Sequence, residues 1–366
     1  MSPIDTERYL LICFIKLFLA IILLTLITLV NGQCSNISVR KEFRQLSDSE
    51  RLDFINAVKA LNQGTRPNRY DNLSKWHTQA RYYAHQNPQF LPWHRAFVRE
   101  FEKALQSTNP NVVVPYWDWS LDYEDANNSP IFSNSWLGGS GSCVTNGQFA
   151  NWQVTYVGDG SASPHCLERQ INLSKDEVRD PYRLQNIIST RDDYDDFRSA
   201  IEVPHDSIHV GVGGDMLDLA SPNDPIFYMH HAFVDKLWAD WQSRDPSFVY
   251  RYSGTNSDGS TASIYDTLTP FNTQVWSTMD TTSDGFCYRY DGAQSMVSAS
   301  STRLKSSSKP KLLTKPKPLP ESIILKKGGN VTRVREQEAK EAKFVLEFNQ
   351  NITSNRPINI AAKIRL

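Results

Sequence analysis

Two aromatic-rich segments with histidine near their centre place the strongest constraint on how this 366-residue chain folds. The first, "PWHRAFVREFEKAL", covers residues 92–105, and the second, "DPIFYMHHAFVDKLWADWQ", covers residues 224–242. Their apolar residues recur three and four positions apart, which is typical of helices that pack one face into a core. Neighbours on a helix point about 100° apart, so His230 and His231 cannot both face one ligand.

Further helix signals lie around these two segments. Ser47 and Glu50 form a predicted capping box at the start of "LSDSERLDFINAVKAL". "NLSKWHTQARYYAH" predicts a helix capped near Ser74, and "PHDSIH" predicts a short helix that starts behind Pro204. Asp224 predicts the start of the helix that carries the histidine pair. Joined by long irregular loops, these segments favour a mainly α fold with a four-helix bundle core.

Charge and composition divide the chain into an acidic body and a basic tail. Of 39 Lys/Arg and 40 Asp/Glu, 15 basic and 6 acidic residues follow Tyr290, which gives the linker and tail together +9 and the rest of the chain −10. We predict a core at 33–292, a Ser/Lys/Pro-rich linker at 293–320 and a basic tail at 321–366. The tail either contacts the acidic core or stays solvated, and "AKFVLEFNQNITS" predicts one or two strands in it.

Residues 1–32 predict export from the cytosol. The uncharged apolar run 17–30 follows Arg8 and Lys16, as in a signal peptide cleaved before Gln33. An uncleaved signal anchor is the alternative, and membrane attachment is expected only in that case. Six Asn-x-Ser/Thr sequons agree with a secreted glycoprotein. They begin at Asn36, Asn72, Asn127, Asn172, Asn330 and Asn351.

Four cysteines follow the predicted signal peptide. An even number in an oxidising compartment favours two disulfides, for which three pairings exist. We favour Cys143–Cys166, across a Gly/Ser-rich loop, and Cys34–Cys287, between the two ends of the body.

Spacing groups five of the eight histidines around two candidate metal sites. His205 and His209 lie four residues apart on one helix face, a spacing that a single metal ion can bridge. His77 and His94 lie on separate predicted helices. His85 lies in the proline-interrupted loop between them, and this loop lets His85 and His94 reach the same ion.

The adjacent pair supplies the sixth imidazole. His231 shares a mixed helix row with Phe227 and is favoured as the ligand, whereas His230 falls in an apolar stripe. Aligning "HRAFV" with "HHAFV" favours His230 instead. Six imidazoles without thiolate or carboxylate suit copper or zinc. Two coppers, each with three ligands and open positions facing each other, can each give one electron to a dioxygen between them.

These segments resemble the type-3 copper proteins: tyrosinases, catechol oxidases and mollusc haemocyanin units. "FLPWHRAFVREFEKAL" resembles the first-copper helix of that family, and "VPYWDWS" resembles the motif after it. "HDSIH" followed by "DPIFYMHHAFVDKLWADW" resembles its second-copper region, and "CYRY" resembles its Tyr-x-Tyr element. The resemblance covers residues from about 40 to about 290.

The resemblance implies a dicopper pair inside a four-helix bundle, with O2 as co-substrate. It implies that the second member of the His-His pair is a ligand. The implied ligands are His77, His85 and His94 for the first copper, and His205, His209 and His231 for the second.

The resemblance also implies roles around the copper pair. Glu202 would order a water that deprotonates a phenol, and Phe227 would pack against the second site. Leu219 would gate access to that copper, and Val210 would line the substrate pocket. Asp206 departs from the pattern, because monophenol-active members often have asparagine there. We therefore include Asp206 as a second catalytic candidate.

The activity implied is a secreted copper monooxygenase and oxidase. It would convert monophenols to ortho-diphenols and then to ortho-quinones, for melanin-type pigment or cross-linking. The alternatives are a catechol oxidase without monophenolase activity and a haemocyanin-like O2 carrier; no nucleic-acid partner is expected. Tyr83 stands where many members have a cysteine cross-linked to histidine, so we predict no thioether. The tail would shield the cleft, with Phe344 or Phe348 filling it.

Overall fold

The computed structural model describes residues 34–174, 176–292 and 311–354, together with Lys16. The rest of the predicted signal segment 1–32 and residues 293–310 of the predicted linker lie outside the described residues. The described part is mainly helical, which confirms the predicted fold class. Its helices are α1 (Asp48–Leu61), α2 (Arg69–Gln79), α3 (Phe90–Gln106), α4 (Pro181–Thr190), α5 (Tyr194–Val212), α6 (Ile226–Gln242), α7 (Glu321–Lys326) and α8 (Val331–Thr353).

The strands in the described ranges form three two-stranded sheets at the edges of the helical core. A parallel pair joins β1 (Ser38–Arg40) to β6 (Tyr288–Tyr290), so the two ends of the body meet. Antiparallel pairs join β2 (Gln153–Tyr156) to β3 (Ala162–Cys166) and β4 (Thr267–Leu268) to β5 (Thr273–Gln274). The sheets are small, so the core is built by helices α2, α3, α5 and α6.

The helix starts depend on local capping, which the sequence predicts in part. The capping box of Ser47 and Glu50 is present at the start of α1. Helix α2 begins earlier than predicted, because Asn68 and Asp71 form a second capping box there. Ser74 is buried inside α2, and its hydroxyl donates to the carbonyl of Ala220. The prediction of a cap near Ser74 is therefore wrong.

Helix α5 runs through the proline that was predicted to precede it. Asp193 caps the helix by accepting a hydrogen bond from the backbone of Asp196, and Pro204 lies in the helix interior. A proline removes one backbone donor, but the 19-residue helix packs along its whole length and tolerates that loss. The helix ends at glycine, with Gly213 at φ 64°.

The tail forms helix α8 where the sequence analysis predicted strands. Its buried side chains recur at helical spacing, and polar or charged residues occupy three of the six positions. These are Val334, Gln337, Glu338, Glu341, Val345 and Phe348. The short apolar run "FVLEF" alone does not show this longer period.

Both predicted disulfides are confirmed. Cys34 pairs with Cys287 at a Cα–Cα distance of 5.5 Å, and Cys143 pairs with Cys166 at 5.0 Å. The first bond reinforces the β1–β6 junction, and the second closes the β2–β3 region. Among the described helices, none is long and apolar enough to cross a membrane.

The buried carboxylate of Asp235, on α6, bonds to residues from several parts of the body. Asp235 accepts hydrogen bonds from Arg95 Nε at 2.5 Å, from Tyr290 Oη at 2.6 Å and from Tyr288. Arg40 Nη1 lies 3.5 Å from the same carboxylate. The tyrosines of "CYRY" therefore close the body by bonding to the middle of α6.

Replacing Asp235 with alanine is expected to lower the free energy of unfolding by about 3–5 kcal/mol, because Arg95 would lose its buried counter-charge. Urea unfolding measures this loss. The matched control is Asp192→Ala, which removes an exposed carboxylate from Arg244 and should cost less than about 1 kcal/mol. Equal losses in both variants would contradict the role of the buried network.

Candidate metal centre

The first histidine cluster joins α2, α3 and the loop between them. His77 on α2, His85 in the loop and His94 on α3 are all buried, with potential ligand nitrogens within 4.8 Å of one another. The Nε2 atoms of His77 and His94 lie 3.3 Å apart. The ring of His85 lies 4.9 Å from that of His77 and 5.1 Å from that of His94, between centroids. The loop brings together the three residues as the sequence analysis predicted.

The second cluster joins α5 and α6. The Nε2 atom of His205 lies 3.1 Å from that of His209 and 3.2 Å from that of His231. His230 also has a nitrogen within 4.8 Å of the other three. Its ring stacks on His205 at 5.0 Å, and neither of its nitrogens has a hydrogen-bond partner among the described residues.

The two clusters face each other. The rings of His94 and His231 stack at a centroid distance of 4.1 Å and an angle of 9°. Phe227 lies beside both clusters, with its ring 4.2 Å from His231 and 5.0 Å from His77. Phe90 packs against His94 and His205 from α3. Aromatic rings therefore surround the imidazoles and keep them in an apolar environment.

Burial keeps the imidazoles neutral. It lowers the pKa of His77 to about 3, and it also lowers the pKa values of the remaining members of both clusters. A neutral imidazole offers a lone pair to a metal, whereas a protonated one offers none. The donor set is thus ready for a metal near neutral pH.

Backbone carbonyls fix which nitrogen of three rings carries the hydrogen. Nδ1 of His77 lies 2.6 Å from the carbonyl oxygen of Leu219, and Nδ1 of His94 lies 2.8 Å from that of Phe90. Nδ1 of His209 lies 2.7 Å from the carbonyl oxygen of Met216. Carbonyls only accept, so each Nδ1 donates and each Nε2 keeps its lone pair for a metal.

Two buried carboxylates lie on α5 beside the second cluster. Glu202 accepts from Arg198 Nη1 at 2.7 Å and from the backbone nitrogen of Gln86 at 2.6 Å. The side chain of Gln86 donates to Asp206 at 3.2 Å. Burial raises the pKa of Glu202 to about 7 and raises that of Asp206 as well. Nδ1 of His205 lies 3.0 Å from Asp206 Oδ1, without the alignment of a hydrogen bond.

Gln86, which the sequence did not single out, links both carboxylates from the histidine loop. Its φ of 57° is a left-handed conformation that glutamine rarely adopts. No motif marks this residue. Arg198, in contrast, can be identified from the sequence as a partner of Glu202, because it lies four positions earlier on the same helix.

The other predicted pocket residues lie around this site. Leu219 is buried and binds His77 through its carbonyl. Val210 packs at the edge of an apolar cluster that also contains Val203 of α5. The remaining members of that cluster are Leu319, at the end of the linker, and the tail residues Ile324, Val331 and Val334.

A tail lysine reaches the carboxylates of the site. Lys327 Nζ lies 2.5 Å from Asp206 Oδ1, and the lysine side chain is 7% exposed. Next to it, Lys326 pairs with Asp218 at 3.0 Å and is 43% exposed. The carboxyl end of α7 therefore places the ammonium of Lys327 inside the site and that of Lys326 at its rim, next to Asp218.

The predicted filling of the cleft by Phe344 or Phe348 is wrong. Phe348 packs against Tyr182 at 5.2 Å and clusters with Leu313, while Phe344 lies at the edge of that cluster. These contacts lie on α4, away from the histidines. Aromatic size alone suggested a filling residue, but the tail residue at the site is Lys327.

Ion pairs fasten α8 to the acidic body. Arg179 Nε donates to Glu341 at 2.9 Å, and Lys340 Nζ donates to Asp196 at 2.6 Å. Arg333 contacts Asp195 at 2.5 Å.

Known proteins share this architecture. A model of the common central domain of tyrosinase matches residues 67–244. A tyrosinase of Streptomyces antibioticus is 33% identical over 264 residues, which cover 64% of this chain and 93% of that protein. A tyrosinase-like protein of Diaporthe leptostromiformis is 35% identical over 266 residues, covering 62% of this chain and 67% of that protein. The solved structure of a mutant polyphenol oxidase from Thermothelomyces thermophila matches with a TM-score of 0.61 and 26% identity, covering 69% of this chain and 88% of that one.

The helical core and its two facing imidazole clusters define a dicopper oxidoreductase of the type-3 class. The chain belongs to the tyrosinase family. That family uses a copper pair with O2, and the two clusters offer the buried, neutral nitrogen donors that suit it.

Proposed function

We propose that this protein is a secreted phenol oxidase, which hydroxylates monophenols to ortho-diphenols and oxidises these to ortho-quinones. The observation that carries the proposal is the pair of facing imidazole clusters with the buried carboxylate of Glu202 beside them. Two disulfides support an oxidising compartment and therefore secretion. Quinones formed outside the cell would serve pigment formation or cross-linking.

We assign His77, His85 and His94 to the first copper. The second copper would be held by His205, His209 and His231 of the other cluster. For His231, the support is the 3.2 Å approach of its Nε2 to that of His205. His230 instead stacks flat on the ring of His205, as a packing neighbour would.

When bound, the copper pair supplies the O2 chemistry and the electron transfer. The residues of the chain supply binding, orientation and proton transfer. Phe227 limits how a phenol ring lies against the second cluster. The carboxylate of Glu202 takes the phenol proton, because its pKa of about 7 lies near neutral pH, where a general base is most effective.

The second candidate is a catechol oxidase without monophenolase activity. Asp206 favours it, because a second buried carboxylate beside Glu202 makes proton uptake by either one dependent on the other. A dioxygen carrier is a third candidate, and the proton-accepting carboxylates of the site argue against it.

Oxygen uptake by the copper-loaded protein separates these candidates. We expect uptake with a monophenol, after a lag, and with an ortho-diphenol. Uptake with the diphenol alone would contradict monophenolase activity and favour the catechol oxidase. Reversible O2 binding with neither phenol consumed would contradict both enzymes. The Asp206→Asn variant, which carries the residue frequent in the family, tests whether this position sets the ratio of the two activities.

We also propose that the tail keeps the enzyme latent. Support comes from Lys327, which is buried against Asp206, and from the tail residues that pack on Val203 and Val210. A phenol cannot enter while these groups cover the site. The segment 293–310, which joins body and tail, is rich in serine and lysine and suits proteolytic cutting.

Cutting the chain within residues 293–310 is expected to raise catechol oxidation by about tenfold or more, since only the fraction of molecules with the tail displaced binds substrate. Oxygen uptake before and after limited proteolysis measures the change. Glu341→Arg places a cation beside Arg179 and Arg183 and so weakens the attachment of α8 to the body. This variant should therefore also raise the activity of the uncut chain. Lys343→Ala, an exposed change on the same helix, is the control. Unchanged activity after cutting would contradict latency.

A further inference from the structure

The two carboxylates of the site differ in the origin of their counter-charge. Glu202 is neutralised from within the body, by Arg198 at 2.7 Å. Among the described residues, the cation that pairs with Asp206 comes from the tail, namely Lys327 at 2.5 Å. The other polar neighbours of Asp206 in the described ranges are the amide of Gln86 at 3.2 Å and Nδ1 of His205 at 3.0 Å.

When the tail leaves, Asp206 therefore loses its cation while Glu202 keeps its own. A buried carboxylate without a counter-charge is unfavourable, since the surroundings no longer replace its lost hydration. Asp206 is fully buried in the tail-bound protein. The open site then contains a binding position for an ammonium group, formed by Asp206 and Gln86 and called the seat below. In the tail-bound protein this position holds the primary ammonium of Lys327.

We propose that this seat selects the substrate: phenols that carry an alkylammonium side chain bind with their ammonium on Asp206. This inference rests on the proposed phenol oxidase function and names its preferred substrate class. In the latent protein, Lys327 occupies the position that the substrate ammonium takes after activation.

The position of Asp206 fits this role. It follows His205 directly in sequence, and its carboxylate lies 3.0 Å from Nδ1 of His205, whose Nε2 faces His231. A phenol at the second cluster would need only a short side chain to bring its ammonium to this end of the His205 ring. An anionic side chain at the same place would meet two carboxylates, Asp206 and Glu202, and Arg198 beside them is already paired with Glu202.

The seat can be tested on the full, copper-free chain without any catalysis. Lys327→Ala should vacate it, and calorimetry should then detect saturable binding of n-propylammonium, the fragment that alanine removes. n-Propanol and propionate should not bind. Lys327→Met, which fills the seat with an uncharged chain of similar length, should not bind n-propylammonium, nor should the double variant with Asp206→Asn.

A matched double variant tests whether the loss of any carboxylate at the edge of the site has the same effect as the loss of Asp206. Asp218→Asn removes the carboxylate that pairs with Lys326, at the edge of the same site. Combined with Lys327→Ala, it should leave propylammonium binding within about twofold. Absence of binding to Lys327→Ala, or binding that survives Asp206→Asn, would overturn the assignment of the seat.

The substrate preference is tested after proteolysis of the full chain, with three catechols of similar size: dopamine, 4-ethylcatechol and 3,4-dihydroxyphenylpropionate. We expect kcat/KM for dopamine to exceed that for 4-ethylcatechol by about tenfold or more, as for other charge-assisted hydrogen bonds. The propionate should be the poorest substrate. In Asp206→Asn the ratio of dopamine to 4-ethylcatechol should fall to about one, and in Asp218→Asn it should persist.

The outcomes separate this inference from the proposed function. Oxidation of all three catechols with a ratio near one in the unaltered protein would overturn the ammonium preference and leave the oxidase function intact. Oxidation of none would overturn the oxidase function, while the calorimetry on copper-free protein would still decide whether the seat exists. A preference that survives Asp206→Asn would assign recognition to another residue and overturn the proposal.

Discussion

His231→Ala is expected to bind about one copper per chain instead of two and to oxidise catechols more than about 100-fold more slowly. Two imidazoles would remain at the second site, and even changes to groups that only support a metal ligand weaken metal binding by about 10- to 100-fold. Metal analysis after dialysis measures the copper, and oxygen uptake after limited proteolysis measures the rate.

His230→Ala is the matched control, one residue away on the same helix and equally buried. It should keep both coppers and lower the free energy of unfolding by about 1–3 kcal/mol. The lost packing costs stability, but removing two unpartnered nitrogens offsets part of this cost. Equal loss of copper from both variants would contradict the assignment, and loss from His230→Ala alone would reverse it.

Glu202→Gln is expected to slow monophenol hydroxylation by about 100- to 10,000-fold, the range for removing a positioned general base. The carboxylate must be ionised to accept a proton, and burial raises its pKa to about 7. In the unaltered enzyme, monophenol kcat/KM should therefore rise with pH up to about 7 and level off above it. The variant should lose this rise, because an amide does not titrate.

Replacing Glu202 also removes one ion-pair partner of Arg198. A control must therefore separate the loss of this ion pair from the loss of the general base. Asp195→Asn alters the other carboxylate that binds Arg198, at 2.5 Å, and lies about two turns further than Glu202 from the histidines of the same helix. It should leave the pH dependence in place. If monophenol kcat/KM of Glu202→Gln still rises with pH up to about 7, the general base is another group.

Much of the site could be predicted from sequence because local rules determine it. The four-residue spacing of His205 and His209 places them on one face of a helix. The loop between α2 and α3 lets His85 lie close to His94, and the structure shows both features. The capping box at Ser47 is set by residues next to one another in the chain. The cysteine pairing followed from the loop that each bond closes.

The errors arose where distant parts of the chain determine the outcome. Pro204 normally ends a helix, yet tertiary packing carries α5 through it. Lys327 is one of many basic tail residues, and nothing local separates it from the exposed Lys326 beside it. Gln86 matters through its contacts with α5, more than 100 positions away in the sequence. Such residues are identified only once the chain is folded.

The most direct test of the account is the metal content of the full chain after it is offered equal amounts of copper and zinc and dialysed. We predict two coppers per chain in the unaltered protein, and about one in His77→Ala, since the second cluster remains intact. One metal ion per chain would show that the two facing clusters form a single site. Two zinc ions in place of copper would contradict an oxidase altogether.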